Sequence, residues 1–129
     1  MNRDLFHLDG RLAVVTGAAR GLGHAVALGL ARFGADVAIL DILDKQMLET
    51  QKKIAATGVR CKTYHCDVSD DKAVRDTAQR VTHDFDRVDI LANIAGITNR
   101  VLTHEITAEQ VRRLTDVNYH GVFWCCKEF

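Results

Sequence analysis

An α/β fold, with a parallel sheet covered by helices on both faces, follows from three features of this 129-residue sequence. Short apolar, β-branched runs alternate with longer segments of helical period. A glycine cluster directly follows the first such run and opens the first helical segment. An acidic residue closes the second run. Strands alternating with helices of about ten or more residues need right-handed crossovers, and those build a parallel sheet.

Leu12-Ala13-Val14-Val15-Thr16, flanked by Gly10 and Gly17, reads as a strand buried on both faces. Residues 21–33 carry Leu22, Val26, Leu30 and Phe33 at helical spacing, and Gly34 suits the positive φ of a helix end. Residues 37–40 form a second buried strand that stops at Asp41. Residues 44–57 read as a helix with Met47, Leu48, Ile54 and Ala55 on one side, closed by Gly58. Residues 59–65 make a third strand, less apolar and therefore nearer an edge.

Ser69 reads as the N-cap of a helix running to about Phe85, with Asp70 and Asp71 complementing the helix dipole. Residues 88–92 form a fourth strand. Thr107-Ala108-Glu109-Gln110 is a capping box that opens a last helix, with a soft spot at Asn118 and Gly121. The sum is about four strands and four helices. In such sheets ligands sit at the carboxyl ends of the strands, near the reversal of strand order.

Composition bounds the function. Lys plus Arg total 17 and Asp plus Glu total 17. That balance argues against a nucleic-acid footprint or a polybasic membrane contact. No apolar run approaches the ~20 residues of a membrane span. Met1–His7 shows no apolar leader segment, so the expected location is the cytoplasm. Cys61, Cys66, Cys125 and Cys126 have no metal-like spacing and read as small buried or half-buried thiols; no metal site is expected.

The sharpest signal is Thr16-Gly17-Ala18-Ala19-Arg20-Gly21-Leu22-Gly23. Glycines here permit a tight turn and bring backbone N–H groups to a pyrophosphate at the helix N-terminus. A Gly-rich turn without a ligand is the alternative. The strand–turn–helix context, with Asp41 ending the second strand, favours the dinucleotide site.

At this point the chain resembles the short-chain dehydrogenase/reductase family, with its Rossmann-type sheet. The family's T-G-x-x-x-G-x-G is matched by Thr16, Gly17, Gly21 and Gly23. Asp67-Val68 resembles its adenine-contacting pair, and Asn93-Ile94-Ala95-Gly96 its N-N-A-G motif, with Ile94 in place of the second Asn. Asn118 resembles the helix asparagine of the catalytic tetrad. The resemblance implies cofactor contacts at Thr16, Gly17, Arg20, Gly21, Leu22, Gly23, Asp41, Ile42, Asp67, Val68, Asn93, Ala95 and Gly96, with Asn118 as the one catalytic position.

Asp41 bears on cofactor choice. Its carboxylate suits both adenosine ribose hydroxyls, which favours NAD. A 2′-phosphate facing it at ~4 Å would cost roughly 4 kcal/mol at an effective dielectric near 20. Arg20, at a position often basic in NADP-preferring members, would return about 1.5–3 kcal/mol. The expectation is therefore NAD. Asp67 has a plainer reading as a helix cap, but Ser69 fills that role in the sequence pattern.

The resemblance implies hydride transfer between nicotinamide and an alcohol/ketone pair, with a Tyr as general acid or base, a Lys lowering its pKa and a Ser orienting the carbonyl. No Y-x-x-x-K is present: Tyr64 is followed four residues on by Val68, and Tyr119 by Phe123. Trp124–Phe129 carries no cap or turn signal. The expectation is one NAD-binding domain over residues 1–129, truncated before the catalytic Ser and Tyr-x-x-x-Lys and inactive alone, from a full-length homo-oligomer. Leu5-Phe6-His7-Leu8-Asp9-Gly10 looks like the lead-in of sugar-acid dehydrogenases, or is a hydrophobic N-terminal anchor. A non-catalytic nucleotide-binding or interaction module is the alternative function.

Overall fold

The computed structural model describes residues 5–129, so the reading of Met1–Asp4 lies outside the described residues. The elements are β1 (Leu12–Thr16), α1 (Gly21–Arg32), β2 (Asp36–Asp41), α2 (Asp44–Ala55), β3 (Cys61–His65), α3 (Asp71–Phe85) and β4 (Ile90–Ala92). Then come α4 (Ala108–Thr115) and α5 (Gly121–Glu128), joined by a π-helical turn over Asp116–His120. The sheet order is β3-β2-β1-β4, with every pair parallel. The chain winds from β1 outward to β3, then returns to lay β4 on the other side of β1. Strand order reverses between β1 and β4. β3 is an edge, as its lower hydrophobicity predicts.

Alternation along the central strands divides the core. Leu12, Val14, Ala38 and Leu40 face Val74, Val81 and Phe85 of α3 and Cys125 of α5. Val15, Val37 and Ile39 face Ala27 and Ala31 of α1 and Met47 and Ile54 of α2. Helices therefore cover both faces.

Several details correct the sequence reading. The packed face of α1 is Gly23, Ala27 and Ala31, not the Leu22–Phe33 stripe. Leu22 is 78% exposed. Small residues four apart bring the helix axis close to the sheet, and the larger apolar residues flank that contact. On α2 the buried residues are Met47, Thr50 and Ile54, while Leu48 and Ala55 are exposed. The cap of α3 is Asp70, which accepts from the N–H groups of Lys72 and Ala73 at 3.0 and 3.2 Å. Ser69 instead turns its hydroxyl to Asp67. The capping box at Thr107 forms as expected. The soft spot at Asn118 and Gly121 becomes the π-helical turn, a feature often found at functional sites.

Polar ties hold the sheet edges. Asp89 accepts from Leu12 N at 2.9 Å and pairs with Arg11 at 3.0 Å and with Arg87. These donors, Arg87 foremost, hold its carboxyl at about 2. Tyr64, buried in β3, donates to Asp84 of α3 at 2.6 Å. Phe6 meets Phe33 edge-to-face at 6.4 Å and Leu8 N–H donates to Phe33 O at 2.8 Å, so the lead-in segment anchors to the end of α1. No helix among the described residues is long and apolar enough to cross a membrane.

Candidate functional site

A cavity of about 370 Å³ opens over the carboxyl ends of the strands, at the reversal between β1 and β4. Its floor is the glycine loop. A Cβ on Gly23 would lie 2.0 Å from Gly17 O, and one on Gly17 would lie 2.7 Å from Ala95 Cα. Gly17 also has φ +65°. Glycine is therefore required at both positions, once for closure of the loop onto α1 and once for approach of the β4 loop. Gly21, with φ +57°, has open space where a Cβ would stand. Arg20 and Leu22 line the cavity beside it.

The loop is held from three sides. Buried Thr16 accepts from Ile94 N and Ala95 N at 3.0 and 3.1 Å, joining the ends of β1 and β4. Thr50 Oγ1 donates to Ala19 O at 3.1 Å and sits 2.8 Å from His24 Nδ1. Because that hydroxyl proton is committed, His24 Nδ1 is the donor to Thr50. Asp41 completes the set. Its Oδ2 accepts from Ala19 N at 3.0 Å, and its Oδ1 accepts from Ile42 N and Leu43 N at 2.7 and 3.1 Å.

The helix termini distinguish this end of the sheet. α3 and α4 are capped by Asp70 and Thr107, whereas α1 has no capping side chain and no acidic residue in its first turn. Its uncommitted N–H groups and positive dipole end stand against the cavity, an arrangement suited to a phosphate anion.

Most of the sequence-assigned residues converge here. Gly17, Arg20, Gly21, Leu22 and Gly23 line the cavity from the first loop, Asp41 and Ile42 from the second, Asp67 and Val68 from the third, and Ala95 and Gly96 from the fourth. Thr16 and Asn93 do not line it. Asn93 reaches toward Cys126 of α5, with its amide 3.4 Å from the exposed sulfur. Cys126 thus departs from the buried or half-buried thiol reading, while Cys66 and Cys125 are buried. Asn118 makes a reciprocal pair with Ile97, accepting from its N–H and donating to its carbonyl, both at 2.8 Å. It thereby pins the loop after β4 to the π-helical turn. A Cβ on Gly121 would sit 2.7 Å from Val68 Cγ2, so this glycine lets the start of α5 approach the Asp67-Val68 turn.

Asp67 is partly buried, which opposes its ionisation. Hydrogen bonds from Ser69 and the nearby Arg113 guanidinium outweigh that and hold its carboxyl below the ordinary carboxylate range. Arg113 lines the cavity too, as do Leu43, Cys66 and Ile97. Sequence reasoning does not single these out. Arg113 sits in a charged helix segment with nothing local to mark it, and its contacts are 44 and 46 residues away.

The short chain dehydrogenase family model matches residues 11–129. The chain belongs to this family. Among its relatives is gluconate 5-dehydrogenase of Gluconobacter oxydans (strain 621H), 37% identical over 121 residues, covering 94% of this chain and 47% of that protein. The fold agrees with an NAD+-bound xylitol dehydrogenase crystal structure at a TM-score of 0.90 and 30% identity, covering 94% of this chain and 47% of that one. It agrees equally with a metagenomic short-chain oxidoreductase in complex with NADP: TM-score 0.89, 30% identity, 95% of this chain and 56% of that one. The chain thus spans about half the length of these dehydrogenases. A nicotinamide cofactor is supported by both structural neighbours, one with each form.

Proposed function

We propose that residues 1–129 are the dinucleotide-binding part of an oxidoreductase, that the cavity takes NAD(H), and that the substrate pair is an alcohol and a ketone of the sugar-acid or polyol class. The observation that carries the reading is the uncapped α1 terminus above a glycine cradle, with Asp41 at the same cavity. When bound, the nicotinamide supplies a hydride donor or acceptor. The chain's residues do the rest of what this half can do. The α1 N–H groups and Gly21 receive the pyrophosphate. Asp67 and Val68 border the base, Leu22 and Ile42 cover apolar ring faces, and Asn118 holds the loop that shapes the far wall.

Asp41 favours NAD, with one refinement. Three backbone N–H groups already occupy its carboxylate. A carboxylate has about four acceptor sites. The remaining one lies on Oδ2, so in this arrangement it serves one ribose hydroxyl rather than two. A 2′-phosphate would still meet the uncompensated side of that charge. The relative acting on gluconate motivates the substrate class.

We read the 129 residues as inactive by themselves, since they hold no Tyr-x-x-x-Lys. The test is thermal melting with and without NAD or NADP, with turnover of gluconate and xylitol assayed alongside. Stabilisation by NAD of about 2.7 kcal/mol at a hundredfold excess over Kd is expected, without turnover. No stabilisation by either dinucleotide would refute the binding site, and turnover would refute the inactivity.

A further inference from the structure

Arg113 comes from α4, far in sequence from the turn after β3, yet it closes a ring of hydrogen bonds on that turn. Its Nη1 donates to Ser69 Oγ at 2.8 Å, and its Nη2 lies 3.4 Å from Asp67 Oδ2. Ser69 Oγ donates to Asp67 Oδ1 at 2.6 Å, and Ser69 N–H donates to the same oxygen at 3.0 Å. The proton directions are consistent around the ring. The Ser69 proton goes to Asp67, so its lone pairs are free to accept from Arg113. Asp67 Oδ1 is thereby saturated, while Oδ2 carries one long contact and keeps acceptor capacity. Asp67 and Arg113 both line the cavity.

We infer that Arg113 is a positioning residue that, through Ser69, fixes Asp67 with Oδ2 presented to the base, making the site select a 6-amino purine over a 6-oxo purine dinucleotide. This rests on the reading of the cavity as a dinucleotide site with the base at Asp67. The chemistry follows from donor and acceptor types. An exocyclic amino group donates to a carboxylate. A carbonyl at the same position places lone pairs against the negative charge, and no proton can be shared. Arg113 does not touch the base; it restricts the Asp67 side chain to one orientation and keeps it ionised beside a fixed cation.

The test is calorimetric titration of the chain with NAD and with nicotinamide hypoxanthine dinucleotide. The variants are Asp67→Asn, Ser69→Ala, Arg113→Gln and Arg113→Lys, with melting curves to verify folding. The Arg113 side chain is 49% exposed, so its replacement leaves the core intact. The unsubstituted chain should prefer NAD at least about tenfold, the worth of one hydrogen bond to a charged group. Arg113→Gln should bring the two affinities within about twofold, chiefly by weakening NAD. Arg113→Lys, which keeps the charge without the two-pronged donor, should retain part of the preference.

A purely structural Arg113 would weaken both dinucleotides alike and leave the ratio unchanged, which overturns the inference. Loss of the preference in Asp67→Asn but not in Arg113→Gln overturns it as well, while leaving the cavity reading intact. Equal affinity of the unsubstituted chain for the two dinucleotides removes the base contact and the inference together. Binding of neither refutes the cavity reading itself.

Discussion

The glycine at position 23 gives the sharpest test of the site's construction, because Gly29 of the same helix serves as its control. A Cβ at position 23 would lie 2.0 Å from Gly17 O. A carbon–oxygen contact needs about 3.3 Å, so helix and loop would have to part by more than about 1 Å. The opposing atom is backbone and cannot swing aside. Overpacking of this kind costs about 1–3 kcal/mol, and alanine's better helix propensity returns about 0.5–1 kcal/mol. The net for Gly23→Ala is a loss of about 1 kcal/mol, or about 4 °C in Tm for a chain of this size. At Gly29 an added Cβ meets nothing within 4 Å. Gly29→Ala should therefore gain about 0.5–1 kcal/mol and raise Tm by about 2–4 °C. Thermal denaturation followed by circular dichroism reads both. Addition of NAD should raise the Tm of Gly29→Ala as it does that of the unsubstituted chain, and should do little for Gly23→Ala. A Gly23→Ala variant melting at or above the unsubstituted chain would refute the close contact. Equal losses at both positions would refute its specificity.

Three further outcomes are expected. Asp41→Ala should lower NAD affinity about tenfold and raise NADP affinity, measured by calorimetry, since a charged acceptor and a repulsive charge leave together; an unchanged affinity ratio would remove Asp41 from cofactor choice. Asn118→Ala should cost about 1–2 kcal/mol through loss of its two bonds to Ile97, with faster hydrogen exchange at the Ile97 amide; unaltered exchange there would contradict the role given to Asn118. Asp89, held at about 2 in the folded chain, lies below its unfolded value near 3.9. The unfolded state then binds more protons between about pH 4 and 2, so stability present above that window is lost as pH falls through it. Asp89→Asn should flatten this part of the acid-unfolding profile, and an unaltered slope would contradict the assignment.

The parts of this fold that a single sequence reveals are those whose signal is local. β1 and β2 are continuous apolar runs, and the glycine loop joins one of them to a helix, so strand, loop and ligand chemistry coincide within a dozen residues. The packed face of α1 escapes such reading because hydropathy ranks Leu22 and Phe33 above Gly23, Ala27 and Ala31. The deciding quantity is the distance between helix and sheet, which only small residues allow. The cap of α3 escapes for another reason. Asp67, Ser69 and Asp70 are all competent caps in sequence, and the choice falls to Asp70 because Ser69 and Asp67 are drawn into the ring with Arg113. That ring depends on a residue 44 positions from Ser69 and one helix away. Gly121 marks the π-helical turn only as a weak point, since its meaning lies in the Val68 side chain across the cavity's rear wall.

Thr16, Asp41 and Asn118, which motif reading assigns to ligand or chemistry, share a task that needs no ligand. Each spends its side chain on backbone groups of a neighbouring strand end: Thr16 on the β4 loop, Asp41 on the glycine loop and Asn118 on Ile97. Fixing the backbone of a loop residue costs roughly 1–2 kcal/mol. Loops already tied to one another in the folded chain leave little of that cost for the moment of binding, which is how a preformed site gains affinity without added contacts. It follows that substitutions at these three positions should lower the melting temperature of the ligand-free chain as well as its affinity. Leu22 and Ile42 differ in kind. They are exposed, line the cavity and make no side-chain ties of this sort, so their substitution should alter dinucleotide affinity while leaving the ligand-free melt within about 0.5 kcal/mol of its original value. A shift in the ligand-free melt therefore separates residues that build the site from residues that only meet its occupant.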